Sequence, residues 1–137
     1  MSNIGDYEDT HAAFRWGTPE RFNFGRDVVD AWPDDRPAMI WLGADGNEGR
    51  LTFGDFSRLS NKFAGAMRDL GVGRGDRVMV LLGKVPEWQP ILTGLLKLGA
   101  IAIPCAPQLR AGDLKFRAEH SGSVAMVSGP EGFEEVE

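Results

Sequence analysis

The chain has 137 residues and a mass of 15.0 kDa, about one domain, and its 42% apolar and 26% charged residues argue against a disordered chain and against a membrane protein. Its 18 glycines follow no three-residue period and sit at the ends of periodic segments, which excludes collagen and indicates turns and helix caps. The net charge of −5 is uneven: residues 51–128 carry six acids and ten bases between two acidic ends, too dispersed an excess for a nucleic-acid footprint but suited to a phosphorylated small molecule.

The first 36 residues are expected to form a loosely patterned helical arm. Short helices are predicted over 7–14 and 25–32, punctuated by Pro19, Pro33 and Pro37. The acidic, polar start is expected to be neither a secretory signal nor a transit peptide. From Pro37 the pattern sharpens into a domain expected over 37–137. The apolar run 38–42, a turn containing Asp45-Gly46, and residues 50–53 predict a β-hairpin. Thr52 then reads as a helix N-cap with Asp55 in a capping-box relation. Phe53, Phe56, Leu59, Phe63, Met67 and Leu70 recur at steps of three and four and end at Gly71, the core-facing stripe of an amphipathic helix.

Beyond this helix the order strand, helix, strand, helix, strand is predicted. Residues 77–82 form a near-continuous apolar run, as expected of a strand buried on both faces. Pro86 suits the first turn of a helix running to about Leu98 and capped by Gly99. A short strand over 101–103 is expected to stop at Pro104, a helix over 113–120 at Gly122, and a third strand covers 124–127. Helical crossovers imply parallel pairing. The fold class is therefore α/β: a β-hairpin and helix leading into the start of a parallel βαβαβ sheet. Three strands make a narrow sheet with a bare edge, and another helix is expected to start after Gly129-Pro130.

Several residues invite a site and are weighed against plainer roles. The segment Gly71-Val72-Gly73-Arg74-Gly75 follows a helix and enters a strand, the reverse of a phosphate-binding loop, and reads as a turn. Lys84 stands at the carboxyl end of a strand, where open α/β sheets bind ligands, but lacks the rest of a phosphate-loop motif and reads first as a solvated lysine. Cys105, the only cysteine, excludes an internal disulfide and a cysteine-based zinc site and fits a reducing compartment. A Cys105–His120 pair would need contact and a third orienting group. His11 and His120 are too few for a metal site. Trp16, Trp32, Trp41 and Trp88 read as core or subunit-packing residues, and the phenylalanine stripe as core. The most apolar stretch, 91–106, is too interrupted to span a bilayer.

The segment Leu51-Thr52-Phe53-Gly54-Asp55-Phe56 resembles the first core motif of the adenylate-forming (AMP-dependent synthetase and ligase) superfamily. Leu96-Lys97-Leu98-Gly99-Ala100-Ile101-Ala102-Ile103-Pro104 resembles the second. Gly73-Arg74-Gly75-Asp76-Arg77-Val78 and Val85-Pro86-Glu87-Trp88 match the pattern between them. The upstream Phe22-Asn23-Phe24-Gly25-Arg26-Asp27-Val28-Val29-Asp30 is similar to the medium-chain acyl-CoA synthetases. Two departures are Gly54 and Asp55 in the first motif, and Arg110-Ala111-Gly112 where a Ser or Thr helix cap is common, which weakens the cap there.

The resemblance implies the opening part of the large N-terminal domain of the adenylate-forming fold. It further implies an enzyme that uses ATP, CoA and Mg²⁺ to activate a carboxylate as acyl-adenylate and pass it to CoA. The chain contains no Ser/Thr/Gly-rich loop followed by Pro-Lys-Gly and no Tyr-Gly-x-Thr-Glu segment, so by itself it is expected to be inactive, with no catalytic residue, no metal ligand and no cofactor of its own. The resemblance also places the loop 105–109 beside the family's CoA channel, with Pro107 and Gln108 as lining residues; a plain connecting loop is the alternative. A small-molecule carboxylate and CoA are the partners expected of the whole enzyme, without nucleic acid or a membrane span, in the cytoplasm. Two other readings stand beside this one: a truncated, non-catalytic product that self-associates or binds a partner through its unfinished sheet, and an independent α/β ligand-binding domain.

Overall fold

The computed structural model describes residues 5–17 and 19–130. The acidic end from Glu131, and the helix expected to begin near it, lie outside the described residues. Helix α1 (Tyr7–Ala13) is capped by Asp6, whose carboxylate accepts from the Glu8 and Asp9 N–H groups at 2.9 and 3.3 Å; it buries none of its residues. The helix expected over 25–32 is instead a single π-turn, Gly25–Val29, closed by the Asp30 N–H on the Gly25 carbonyl at 2.9 Å. Pro33 denies it room to continue, and Gly25 is pressed against the Lys97 stem. The segment is fastened from the other side as well. Asn23 Nδ2 donates to the Leu96 and Lys97 carbonyls at 2.9 and 3.2 Å, satisfying groups that a helix end leaves open.

Strands β1 (Pro37–Leu42) and β2 (Glu48–Thr52) pair antiparallel with Ile40 opposite Arg50. The turn between them holds Gly46 at φ +83°, a conformation open to glycine without strain. Thr52 then caps α2 (Phe53–Asp69) as expected: its Oγ1 accepts from the Asp55 N–H at 3.2 Å, and Asp55 Oδ2 accepts from the Thr52 N–H at 3.0 Å. The Thr52 N–H, then the Arg58 guanidinium and the Thr52 hydroxyl, hold the Asp55 carboxyl below its ordinary value. The folded value lies below the unfolded one. The contribution of this cap is therefore complete above the ordinary aspartate range and fades as pH falls through the depressed folded value. Thr52→Ala is expected to lose about 1 kcal/mol in urea melts at neutral pH. Asp55→Asn should flatten this acid-range slope, and an unchanged slope would refute the assignment.

Strands β3 (Arg77–Leu81), β4 (Ile101–Cys105) and β5 (Ala125–Ser128) form a parallel sheet in the order β4-β3-β5. Helix α3 (Trp88–Leu98) links β3 to β4, and α4 (Ala111–Ser121) links β4 to β5. Central β3 is buried on both faces. Val78 and Val80 join Met67, Val72, Leu95 and Ala100 under α2 and α3, while Met79 and Leu81 join Cys105 and Leu114 on the α4 side. This explains the near-continuous apolar run of the strand. Gly99 (φ +78°) and Gly122 (φ +61°) end α3 and α4 in the left-handed region. At the start of α4, Asp113 accepts from the Arg110 N–H at 3.3 Å.

Three sequence expectations need correction. Pro86 lies in a turn before α3, which begins at Trp88; Pro90, the third helical residue, is the proline that exploits the N–H groups a first turn leaves unbonded. Pro104 does not stop β4 but lies within it, opposite Val80. Among the described residues β4 is an edge strand, and the Ile101 N–H points inward to the Asp76 carbonyl at 2.7 Å. By alternation, the position at which Pro104 lacks an N–H faces outward, where no ladder bond is lost. The tryptophans divide: Trp88 packs on the core, and Trp32 lies 5.8 Å from Phe53 with the Arg36 guanidinium 3.7 Å over its ring. Trp16 is 85% exposed and belongs to no core.

Candidate functional site

The carboxyl ends of β3 and β4 run into two loops, residues 82–87 and 106–110, and the hairpin strand β1 leans against the first. Trp41 Nε1 donates to the Lys84 carbonyl at 3.4 Å, tying hairpin to loop. Met39 and Trp41, two residues apart and so on one side of β1, form one wall of a crevice of about 490 Å³. Leu82, Gly83, Lys84, Val85, Trp88 and Gln89 line another side, and Pro107 and Gln108 close it. Its volume falls within the range of small-molecule sites. The second loop is short because Leu109 turns back into the α4-side core, with its N–H on the Ala106 carbonyl at 3.1 Å.

Lys84, Pro107 and Gln108, singled out separately in the sequence, thus share one crevice. Lys84 is the only ionisable residue among the described lining residues, and its ammonium makes no ion pair among the described residues. Apolar and aromatic walls with one free cation suit an elongated ligand with an anionic group. Nothing in the lining is a nucleophile or a general acid or base in reach of one. Trp41, Trp88 and Gln89 were missed as site residues because their apolar or surface character fits ordinary packing. The period-2 pairing of Met39 with Trp41 was the available signal.

The other candidates are not assembled. Cys105 is buried among Met79, Leu81 and Leu114, and burial pushes its thiol above the ordinary value, which leaves it protonated and unreactive at neutral pH. His120 stacks on Phe116 at 5.6 Å and His11 on Tyr7 at 5.6 Å. In the 71–75 turn, the Gly73 N–H is already held by the Asp76 carboxylate at 2.8 Å, so it is not offered to a phosphate. A larger hollow of about 1040 Å³ lies at the amino end of the sheet, between residues 20–26 and the end of α3. There Lys97 is committed to Asp30 at 2.6 Å and Asn61 at 2.8 Å. Among the described residues no group of three or more His, Cys, Asp or Glu could hold a metal ion, and no helix is long and apolar enough to cross a membrane.

Comparison with known proteins places this geometry. A protein-family model described as AMP-binding enzyme matches residues 26–137. Human mitochondrial acyl-coenzyme A synthetase ACSM3 is 34% identical over 135 residues, covering 92% of this chain and 23% of that protein. Rat mitochondrial ACSM2 is 33% identical over 135 residues, covering 90% and 24%. This chain therefore spans about a quarter of the length of the curated relatives it matches. Among solved structures, an acyl-CoA synthetase of Brucella canis superposes over 97% of this chain and 26% of its own with a TM-score of 0.89 at 24% identity, a likeness of fold. The N-terminal domain of FACL13 from Mycobacterium tuberculosis superposes over 85% of this chain and 29% of its own, with a TM-score of 0.73 at 27% identity.

Proposed function

The chain belongs to the AMP-binding enzyme family, and on that premise we propose that it is the opening part of an acyl-CoA synthetase, whose carboxyl-end crevice borders the path of CoA. In the whole enzyme a carboxylate oxygen attacks the α-phosphorus of ATP, giving acyl-adenylate and pyrophosphate. The CoA thiol then attacks the acyl carbon and AMP leaves with its oxygen. The match over residues 26–137 supports this reading, together with a crevice lying where open α/β sheets bind ligands.

The part played by this chain is to shape and bind. Pro107 and Gln108 line the CoA path, Trp41 and Trp88 supply apolar walls for the pantetheine arm, and Lys84 meets a phosphate at the mouth. The described residues do not fit Mg²⁺, since they gather no carboxylate cluster, and no step is assigned to the ion here. Without a phosphate-holding loop or a lysine to stabilise developing charge, this chain alone performs neither step. Standing alone, it self-associates through its incomplete sheet.

Two measurements test the proposal. ATP–pyrophosphate exchange with octanoate or benzoate should be absent for the 137-residue chain, and measurable exchange would overturn its assignment as non-catalytic. CoA added to the chain should shift the amide resonances of Lys84 and Gln108, and Lys84→Ala should weaken this at least severalfold. If CoA leaves these resonances in place, the crevice does not border its path.

A further inference from the structure

Trp41 reaches the crevice from the hairpin, and its indole is seated at both ends. A Cβ added at Gly43 would stand 2.8 Å from Trp41 Cη2 and 3.2 Å from Cζ3. One added at Gly49, which faces Trp41 across the hairpin, would stand 3.6 Å from Cε3. The benzene edge of the indole therefore lies along two glycines that leave it room. The pyrrole edge is turned to the loop, where Nε1–H meets the Lys84 carbonyl. Little else fixes that point of the loop. The Val85 N–H bonds the Gly83 carbonyl at 3.0 Å, and the Trp88 N–H bonds the Val85 carbonyl at 3.2 Å. The Lys84 carbonyl between them is met by Trp41 alone among the described residues. Gly83 precedes it, where a backbone without a Cβ swings freely.

We propose that Trp41 is a positioning residue for this crevice: seated on Gly43 and Gly49, it fixes the backbone at Lys84 and so aims the one cation of the lining at an anionic ligand. This role rests on the CoA path proposed above and adds how the cation is held. An ammonium on a long flexible stem binds an anion best when the backbone it springs from is already ordered, since less freedom is then lost on binding. Gly43 and Gly49 lie outside the crevice lining, so they act on it through the indole. The contact to the Lys84 carbonyl, at 3.4 Å, is at the long end for such a bond. The effect is therefore severalfold and not all-or-none.

The test is NMR of the full chain, first without and then with CoA, on four variants. Trp41→Phe keeps a ring but removes the N–H. Gly43→Ala leaves Trp41 unaltered but pushes its benzene edge off the hairpin, while the exposed Asp45 carboxylate can swing aside. Both should shift and broaden the Lys84 and Val85 amides of the CoA-free chain. Both should also raise the Kd for CoA, read from the Lys84 and Gln108 shifts, roughly 3- to 10-fold. Ile40→Thr, on the other side of the same strand and 56% exposed, should change neither, which separates positioning from a general loosening of the hairpin. With Trp41 already alanine there is no ring to displace, so adding Gly43→Ala should change nothing further. A further loss in that double variant would mean that Gly43 acts through its own turn, and would overturn the seating. Lys84 and Val85 amides that stay in place in the CoA-free Trp41→Phe and Gly43→Ala chains overturn the positioning role, whatever CoA does. If CoA shifts nothing on the unaltered chain while those amides move as stated, the CoA path falls and the hold of Trp41 on the loop stands.

Discussion

Alanine at Gly94 is expected to destabilise the chain, whereas alanine at Gly65 is expected to stabilise it, although both glycines lie inside helices and alanine is the better helix former by ~1 kcal/mol. Gly94 is buried where α3 crosses α2. A Cβ there would stand 2.8 Å from the Ser60 carbonyl oxygen and 2.8 Å from Phe63 Cδ1. Ser60 is wholly buried, with its hydroxyl on the Phe56 carbonyl at 2.7 Å, so the backbone at that contact has no room to yield. The helices must separate, and the overpacking should leave a net loss of about 1–3 kcal/mol after the propensity gain. At Gly65 a Cβ meets nothing within 4 Å, and the gain should appear undiminished. Urea melts of the two variants should shift in opposite directions. A Gly94→Ala midpoint at or above that of the unaltered chain would show that the α2–α3 contact is looser than the geometry states. Gly94→Leu, which cannot be fitted by a small shift, should abolish the cooperative transition.

Gly94 also shows where sequence reading stops. The hairpin, the Thr52 cap, the long amphipathic helix and the parallel strands were legible because each is set by local chemistry: a turn glycine, a capping pair, or an apolar period. Pro104 misled because a proline inside an apolar run reads as a stop. Whether it stops a strand depends on which way one missing N–H points, and hence on the edge position of β4. Pro86 misled because two prolines four residues apart both suit a helix start, and only the turn before Trp88 decides between them. The crevice was half legible. Lys84, Pro107 and Gln108 follow from strand ends, but Trp41 reaches the site across a hairpin packed 43 residues away in sequence, a relation that no local pattern encodes. The helical stripe was also read as more buried than it is. Leu59 and Leu70 remain exposed, because a three-stranded sheet with two helices on one face leaves part of that stripe uncovered.

The second family-like motif, 96–104, bears on the site through architecture, and Lys97 is its pivot. The Lys97 side chain is only 9% exposed. Its ammonium meets Asp30 at 2.6 Å and Asn61 at 2.8 Å, and the Ser57 hydroxyl donates to the same Asp30 carboxylate. One lysine thus joins the N-terminal segment, α2 and α3, at the amino end of the sheet and away from the crevice. Gly25 fits against its stem, and a Cβ there would overlap Lys97 Cγ. Because the stem is held at both ends, it cannot swing aside. Lys97→Ala is expected to cost about 1–3 kcal/mol, less than a fully buried pair because the Asp30 side chain is 31% exposed. Gly25→Ala should cost a similar ~1–3 kcal/mol through overpacking. With Lys97 already alanine the obstruction is gone, so the double variant should recover at least ~1 kcal/mol relative to the sum of the two. The same variants should free the N-terminal segment, seen as faster tryptic cleavage after Arg21 and Arg26, while the CoA-dependent shifts at Lys84 and Gln108 persist. Additive losses would mean that Gly25 and Lys97 act separately. Loss of the CoA response with the fold intact would move Lys97 from the framework into the site.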